Sequence, residues 1–258
     1  IETKFGIPYQ GSKSRIAADI INILPPAETF VDLFAGGCAI THAAILSGKY
    51  EKFIVNDIGD APQVFINAIK GEYKNENRWI SREQFFAEKE QDPFIKYIWS
   101  FGNNGRDFLY GKDVENIVFH KKRKRLQHEE RINRINRLCG LCDTSKIDVQ
   151  KLDYKNVEIP SNAIVYCDPP YLGTGGYGRT GRNTFDSASF YQWAFGQDKP
   201  VFFSEYNAPD CFHRVYRKEV RPLFSTTNKS TIKAEKLFCN DVAYELIKAE
   251  RIDGWVKT

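Results

Sequence analysis

The sequence predicts an α/β fold in which a twisted, mostly parallel sheet carries helices on both faces. Two observations favour it: short apolar runs that suit parallel strands covered on both faces, and an alanine- and isoleucine-rich segment between the first two runs. The four strand-like runs are Thr29–Phe34, Lys52–Asp57, Ala163–Cys167 and Pro200–Ser204. A chain of 258 residues is long enough for one large domain of this class, or for a core domain with a smaller insertion.

The first two strands are predicted to enclose a βαβ unit. Thr29–Phe34 ends in Ala-Gly-Gly, and Ala39–Leu46 then has the composition of a helix. Lys52–Asp57 completes the order strand, glycine turn, helix, strand, which is typical of a βαβ unit with parallel strands and a right-handed crossover. The glycine turn therefore lies at the carboxyl end of a strand, the edge of the sheet at which α/β proteins bind ligands.

Composition excludes several classes of protein. Apolar residues make up 42% and charged residues 27% of the chain, which is typical of a globular domain and not of a disordered chain. The longest stretch without a charged residue, Leu33–Gly48, has 16 residues and is too short to span a bilayer. Residues 1–6 contain charges and no apolar segment, so no secretory signal is expected. Six cysteines are then expected to be reduced thiols.

The net charge of +4 is a weak indication of a polyanionic partner, but the charge is concentrated. Residues 112–137 contain nine basic and four acidic side chains, with the densest run at His120–Arg125. Arg131, Arg134 and Arg137 follow at a spacing of three, which predicts that they lie near one face of a helix. This segment is either a solvated helix face or a surface that contacts phosphates, since clustered cations release counterions from nucleic acid. The adjoining tract Trp99–Arg106 combines aromatic, amide and glycine residues that suit a loop touching bases.

The glycine turn resembles a nucleotide-type site. Gly36 and Gly37 allow close approach of a ligand to the backbone, and Asp57 ends the next strand 21 residues after Gly36. An acidic residue at about this distance binds ribose hydroxyls in dinucleotide folds. The pattern is not GxGxxG, so a nucleoside without a pyrophosphate fits better; a simple tight turn with a surface aspartate is the alternative.

The most specific signal comes directly after the third strand: Asp168, Pro169, Pro170 and Tyr171. Two prolines fix the backbone and remove two N–H donors, so the Asp168 carboxylate and the Pro169 carbonyl point into one place as acceptors. Two acceptors beside an aromatic face suit a planar amine. A rigid turn after a strand is the structural alternative, but it explains only the prolines.

Metal binding is not expected. Cys139 and Cys142 form one CxxC pair, no second pair exists, and His120 and His128 lack the usual ligand spacing. We expect two ordinary buried thiols. His42 and His213 are isolated, which is typical of structural histidines.

Taken together, these motifs resemble the Dam-type (D12 class, alpha group) DNA N6-adenine methyltransferases. The Asp-Pro-Pro-Tyr run is similar to that family's catalytic motif, and residues 32–37 are similar to its cofactor motif. Four further segments resemble family motifs in the family's order: Tyr9–Lys13, Asn56–Asp57, Leu152–Tyr154 and Thr227–Ser230. The resemblance covers Lys4 to about Phe238. One departure is Cys38, where the family usually has glycine; a positive φ there would be costly for cysteine.

The resemblance implies a Rossmann-like methyltransferase fold and S-adenosylmethionine as the methyl donor. Asp57 would bind its ribose, Asp153 its adenine amine, and Lys13 its carboxylate. Tyr154 or Ile58 would pack against the adenine. The full set of cofactor-binding residues expected is Tyr9, Gly11, Lys13, Asp32, Phe34, Ala35, Gly36, Gly37, Asp57, Ile58, Asp153, Tyr154 and Asp168.

The activity that the resemblance implies is methyl transfer to N6 of adenine in double-stranded DNA, with the target base flipped out of the duplex. Residues 1–91 and 149–258 would form the catalytic domain, and 92–148 an inserted, mainly helical target-recognition region. The DNA-binding residues expected are Asn103, Asn104, Arg106, Lys121, Lys122, Arg123, Lys124, Arg125 and Lys229. A cytoplasmic enzyme of bacterial or phage origin is expected, a monomer or weak dimer, with a cognate restriction endonuclease as one candidate partner.

Two alternatives stay open from sequence alone. A methyltransferase of the same fold could act on RNA or on a protein amide, although such sites often have asparagine where Asp168 stands. A non-catalytic DNA-binding relative could retain the fold, but the presence of Asp168, Tyr171, Asp57 and Lys13 argues against decay.

Overall fold

The computed structural model describes residues 4–112, 122–171, 185–220 and 233–256. The strands are β1 (Thr29–Asp32), β2 (Lys52–Asn56), β3 (Ile147–Gln150), β4 (Ala163–Cys167), β5 (Val201–Glu205), β6 (His213–Val220) and β7 (Lys233–Cys239). They form one sheet in the order β3-β2-β1-β4-β5-β7-β6. Strands β1 to β5 are parallel, and β7 is antiparallel to both of its neighbours. The mostly parallel sheet predicted from the sequence is confirmed, whereas β3, β6 and β7 were not among the four predicted strands.

The helices are α1 (Ala17–Ile23), α2 (Ala39–Ser47), α3 (Ala61–Ile69), α4 (Arg82–Glu88), α5 (Pro93–Ile98), α6 (Lys122–Asn136), α7 (Ser187–Phe195) and α8 (Asp241–Val256). Short 3₁₀ turns cover Phe101–Asn103, Thr144–Lys146 and Tyr154–Asn156. Local sequence explains several helix starts. Ser81 and Gln84 form a capping box at α4, and the Asp92 side chain caps α5 ahead of Pro93.

Both faces of the sheet are buried, which is why its central strands read as continuous apolar runs. Successive side chains of a strand point to opposite faces. Phe30 and Phe202 accordingly belong to the core on one face, and Val31 and Phe203 to the core on the other. Every residue of β1, β4 and β5 is buried. This double covering leaves the ends of the strands as the place where polar side chains can meet a ligand.

The segment predicted as an insertion shares the main core. Ile95 of α5 and Ile135 of α6 are fully buried in the same cluster as Phe65 of α3. The predicted boundary at residue 148 falls within β3, which begins at Ile147 and pairs with β2. Whether residues 92–148 recognise DNA as a unit stays a prediction.

Candidate active site

A cleft of about 1600 Å³ opens at the carboxyl ends of β1, β2 and β4. We call it the central cleft. Its walls include every residue expected from sequence to bind the cofactor: Tyr9, Gly11, Lys13, Asp32, Phe34, Ala35, Gly36, Gly37, Asp57, Ile58, Asp153, Tyr154 and Asp168. Residues up to 159 positions apart in the chain thus come together, because the carboxyl ends of parallel strands meet at one edge of the sheet.

The floor of the cleft is the glycine turn after β1. Gly36 has a φ of +47°, and a Cβ atom added there would lie 2.7 Å from Cε1 of Tyr9. A Cβ on Gly37 would lie 2.4 Å from Cβ of Tyr9. Both glycines are therefore required for the N-terminal segment to cross this turn, which Ile7 fixes by donating its N–H to the Gly37 carbonyl at 2.8 Å.

Cys38 comes after the glycines in a left-handed conformation, with φ 57° and ψ 34°, and is fully buried. This confirms the concern raised by the sequence, since a residue with a Cβ is disfavoured at positive φ. The thiol lies 3.8 Å from the Gly36 carbonyl oxygen.

Asp57 anchors the turn from the end of β2. Its Oδ2 accepts the Gly36 N–H at 2.8 Å and its Oδ1 accepts the Gly59 N–H at 2.7 Å. Burial raises the pKa of Asp57, and the two backbone donors oppose that shift. The next residue, Ile58, is 79% exposed on the wall of the cleft. A carboxylate and an exposed apolar side chain at this point suit a sugar hydroxyl and a flat ring, respectively.

Asp32 ends β1 beneath the turn and is 1% exposed. Its Oδ2 accepts a hydrogen bond from the Thr41 hydroxyl at 2.7 Å, whereas its buried Oδ1 has no partner among the described residues. Burial raises the pKa of Asp32 to about 7. A buried acceptor without a partner is uncommon in proteins and is consistent with a bound polar group.

Aromatic side chains form the opposite wall. Phe34 packs against Tyr154 with ring centroids 5.2 Å apart and against Phe185 at 5.7 Å. Tyr154 is buried, whereas Asp153 is exposed at the rim and accepts the Lys155 N–H at 2.9 Å. The wall can therefore pack an apolar ring while Asp153 stays within reach of solvent.

Asp168 lies directly after β4 and is paired with Lys13. The Lys13 Nζ is 3.0 Å from Oδ2 of Asp168. The Asp168 Oδ1 is buried and lacks a hydrogen-bond partner within the described ranges. Burial raises the pKa of Asp168, and the Lys13 ammonium opposes this increase. Lys13, expected to bind a cofactor carboxylate, is thus in contact with the first residue of the Asp-Pro-Pro-Tyr motif.

The rest of the Asp-Pro-Pro-Tyr motif is held by its surroundings. Pro169 is buried and Pro170 lines the central cleft. Tyr171 is 7% exposed, and its hydroxyl donates to Oε2 of Glu235 at 2.8 Å. Burial raises the pKa of Tyr171, so its hydroxyl stays protonated. Sequence reasoning missed Glu235, because it reaches the site through an antiparallel strand that was not predicted.

Only part of the tract Trp99–Arg106, which was expected to touch bases, lines the central cleft. Asn104 and Arg106 line the central cleft. Asn103 has a φ of 56° and donates its side-chain amide to the Tyr97 carbonyl at 2.8 Å. Trp99 is fully buried, so it belongs to the core and does not form part of a base-contacting loop. The contacts of Asn103, Asn104 and Arg106 with DNA stay predictions.

The basic segment divides into two parts. Lys121 and Lys229 lie outside the described residues. Lys122, Arg123, Lys124 and Arg125 begin α6. Further along α6, two arginines are structural and not part of a phosphate-contacting face: Arg131 donates to the carbonyls of Ile98 and Ser100 at 2.7 and 2.9 Å, and Arg134 to those of Gly6 and Phe5 at 2.9 and 2.5 Å. Arg137 is exposed.

The isolated histidines are structural, as expected. His42 accepts the Gly6 N–H at its Nδ1 at 2.9 Å, and burial lowers its pKa to about 4, which keeps the ring neutral. His213 stacks on Tyr244 and pairs with Asp241. The expectation of two buried thiols in the CxxC pair is wrong, because Cys139 is exposed and Cys142 is only partly buried.

In the described parts of the chain, no group of three or more histidine, cysteine or acidic side chains is close enough to hold a metal ion. No described helix is long and apolar enough to cross a membrane.

The chain matches a known protein family. A family model for D12 class N6 adenine-specific DNA methyltransferases matches residues 9–139, just over half of the chain. The chain belongs to this family. It is therefore a DNA adenine methyltransferase, and the matched region of the methyltransferase runs from Tyr9, over the glycine turn and Asp57, to the end of the basic helix.

Two proteins that are similar to this chain in sequence are named as methylases. The retron Ec67 DNA adenine methylase of Escherichia coli is 24% identical over 230 residues, covering 77% of this chain and 75% of that protein. The modification methylase StsI of Streptococcus sanguinis is 24% identical over 206 residues, covering 70% of this chain; the chain spans about a third of its length, 31%.

Two solved structures are more distant. A protein of Pyrococcus horikoshii described as an RNA methyltransferase has a TM-score of 0.40 and 12% identity, with coverage of 89% of this chain and 85% of the other. A protein of Haemophilus influenzae described as a methylase has a TM-score of 0.34 and 10% identity, with coverage of 91% of each chain. Both similarities are too weak to bear on function.

Proposed function

We propose that this methyltransferase transfers a methyl group from S-adenosylmethionine to N6 of adenine in double-stranded DNA, after flipping the target base into the central cleft. The observation that carries the proposal is the Asp168 carboxylate. It has one oxygen paired with Lys13 and one buried oxygen without a partner in the described part of the chain, and it stands at the edge of a cleft with a nucleoside-type glycine turn.

The acceptors that line the cleft match the donor groups of S-adenosylmethionine, which supports the proposal. Asp57 would accept from its ribose hydroxyls, and Ile58 and Tyr154 would pack against its adenine. Asp153 at the rim would accept from the adenine amine. The unpaired Oδ1 of Asp32 supports this fit, because a charged or amine group bound above the glycine turn would supply the missing partner. Bound here, S-adenosylmethionine supplies a methyl group on a positively charged sulfur, open to direct displacement.

The Asp-Pro-Pro-Tyr motif would act on the target amine. The N6 lone pair of adenine is delocalised into the ring, which makes it a poor nucleophile. Acceptors at the Asp168 carboxylate and the Pro169 carbonyl would favour a tetrahedral, positively charged nitrogen over a planar one, so they would act through preorganised electrostatics. Tyr171 would stack on the base, and this positioning would supply a further part of the rate.

Base flipping belongs to the proposal because Asp168 lines a cleft at the end of the sheet. The N6 amine of a base inside the duplex would be held in its base pair, so the target adenine would have to leave the stack to reach this carboxylate. Asn104 and Arg106 on the rim would contact the surrounding DNA, and Lys121–Arg125 its phosphates. The name of StsI, a modification methylase, supports a cognate restriction endonuclease as a partner of this enzyme as well.

The role of Asp168 is tested by Asp168→Ala. We expect this substitution to lower turnover by at least about 100-fold, the effect of deleting a preorganised polar group, with affinity for S-adenosylmethionine little changed. The measurement is N6-methyladenine formation by mass spectrometry on duplex DNA, with single-stranded DNA and RNA as parallel substrates. Turnover within a few-fold of wild type would exclude this role, and faster methylation of RNA would favour the rival substrate.

The ribose contact is tested by Asp57→Ala. Loss of a hydrogen bond to a charged group should weaken binding of S-adenosylmethionine by about 1.5–3 kcal/mol, measured by calorimetry. Asp60→Asn is the matched control, because Asp60 is a neighbouring carboxylate paired with Lys151 at 3.0 Å and does not line the cleft. Equal affinities of the Asp57 variant and the wild type would move the ribose site elsewhere.

A further inference from the structure

Glu235 is a carboxylate beside the catalytic motif that no sequence motif indicated. It lies on β7, opposite Lys218 of β6 in the antiparallel register. Its side chain is 18% exposed and turns toward the motif, where Oε2 accepts the Tyr171 hydroxyl at 2.8 Å and lies 4.0 Å from Nζ of Lys13. A second chain segment, distant in sequence from the Asp-Pro-Pro-Tyr motif, thus contacts its tyrosine directly.

Lys13, Tyr206 and Glu235 are among the neighbours that hold the Tyr171 side chain. Lys13 Nζ lies 4.6 Å from the ring centroid, and the Tyr206 ring packs against it with centroids 4.6 Å apart at 83°. The hydroxyl contact with Glu235 is the third. The two ring contacts are weakly directional, whereas the hydrogen bond from the hydroxyl to Glu235 is directional and holds the far end of the ring, where Asp168 also interacts with Tyr171. Together they define the position of the ring relative to Asp168.

We propose that Glu235 is a positioning residue of methyl transfer, which fixes the Tyr171 ring so that a flipped base stacks in line with the Asp168 acceptor. The proposal rests on the proposed function, because it assigns Glu235 to the same transfer reaction. Glu235 touches neither the base nor the methyl group in this scheme, and its effect passes through the Tyr171 hydroxyl.

Two physical arguments support this role. Displacement of a reacting group by about 1 Å can cost on the order of 100-fold in rate, so a ring that positions the base must itself be held. Glu235 also shares the Lys13 ammonium with Asp168, at 4.0 Å against 3.0 Å. Glu235 Oε2 lies 2.8 Å from the Tyr171 hydroxyl and 4.0 Å from Lys13 Nζ, so the hydrogen bond to Tyr171 is the shorter of these two contacts.

The test compares Glu235→Ala, Glu235→Gln, Tyr171→Phe and the double variant Glu235→Ala/Tyr171→Phe in steady-state methylation of duplex DNA. We expect Glu235→Ala to lower kcat by about 10- to 100-fold, with KM for DNA and for S-adenosylmethionine within about threefold of wild type. Glu235→Gln retains an acceptor for the hydroxyl and should recover kcat to within about fivefold of wild type. The double variant should be no slower than the slower single variant, since coupled residues are not additive.

Glu219→Ala is the matched control, because Glu219 is an exposed carboxylate of the neighbouring strand β6 paired with Arg217 at 2.9 Å. It should leave kcat unchanged. The inference is overturned if Glu235→Ala is within twofold of wild type, if Glu235→Gln is as slow as Glu235→Ala, or if the losses of Glu235→Ala and Tyr171→Phe multiply in the double variant. Absence of N6-methyladenine with the wild-type enzyme is a different outcome, and it would overturn the proposed function first.

Discussion

The central cleft and helix α6 both carry dense charge, but the structure uses the charge in opposite ways. In the cleft, Asp32, Asp57 and Asp168 are held at strand ends and face the space that a ligand would fill. In α6, Arg131 and Arg134 turn away from any partner molecule and bind backbone carbonyls of the protein itself. Charged side chains thus mark a candidate ligand site in one region and hold the protein's own backbone in the other.

The difference lies in what each secondary structure dictates. The side chains at the carboxyl ends of parallel strands must converge at one edge of the sheet, whatever the rest of the chain does. Whether a helix face is buried or exposed, in contrast, depends on which other segments of the chain pack against it. Arginines three residues apart lie near one face, and here the N-terminal segment and the 99–106 tract cover that face.

Arg134 also connects helix α6 to the central cleft. Arg134 holds the Gly6 carbonyl, while the Gly6 N–H is held by His42 of α2. The next residue, Ile7, binds the carbonyl of Gly37 in the glycine turn. Helix α6 is therefore connected to the floor of the central cleft through three hydrogen bonds made by the backbone of Gly6 and Ile7, in addition to any role toward DNA.

The largest expected effect is on protein stability, and it concerns the arginines in the second half of the basic segment. Arg131→Ala and Arg134→Ala should each lower the free energy of unfolding by about 2–4 kcal/mol, because each leaves two carbonyls without a charged donor. Arg137→Ala, the exposed member of the same series, should change it by less than about 0.5 kcal/mol. Urea denaturation measures all three, and equal effects at the three positions would contradict the division.

A smaller effect, on the affinity for DNA, is expected from the first half of the basic segment, which we propose contacts phosphates. Alanine at Lys121, Lys122 and Arg123 together should weaken binding to specific and non-specific duplexes alike. Each lost phosphate contact should flatten the plot of log affinity against log salt by about 0.9, while the sequence preference persists. Lys52→Ala is the control, since Lys52 is an exposed lysine at the amino end of β2, whereas the central cleft lies at the carboxyl ends of the strands. A salt slope equal to that of wild type would make this run a solvated helix face.

The smallest effect concerns the glycine turn. At Cys38 we expect glycine to be more stable than alanine by about 1 kcal/mol, the reverse of their usual order in a helix, because the left-handed backbone penalises any Cβ. Thermal unfolding of Cys38→Gly and Cys38→Ala gives the comparison directly, since both remove the same thiol. If the alanine variant is the more stable, the left-handed conformation at this position is not costly.

Much of the candidate site could be predicted from the sequence, because its signals are local. Apolar runs that end in Ala-Gly-Gly, Asn-Asp and Asp-Pro-Pro-Tyr indicate both the strands and the polar groups at their carboxyl ends. Parallel pairing then brings Gly36, Asp57 and Asp168 to one edge. The four predicted strands correspond to β1, β2, β4 and β5 within one or two residues at their ends.

What only the tertiary structure decided depends on contacts between distant segments. Strands β6 and β7 carry charged residues and lack a continuous apolar run, so their pairing, and with it the approach of Glu235 to Tyr171, had no local signal. The burial of Trp99 and the partial burial of Arg131 and Arg134 likewise result from packing that a residue's own sequence neighbours do not reveal. Local sequence determines which chemistry a strand end can offer, whereas the packing of non-adjacent elements determines which charged side chains remain for a partner.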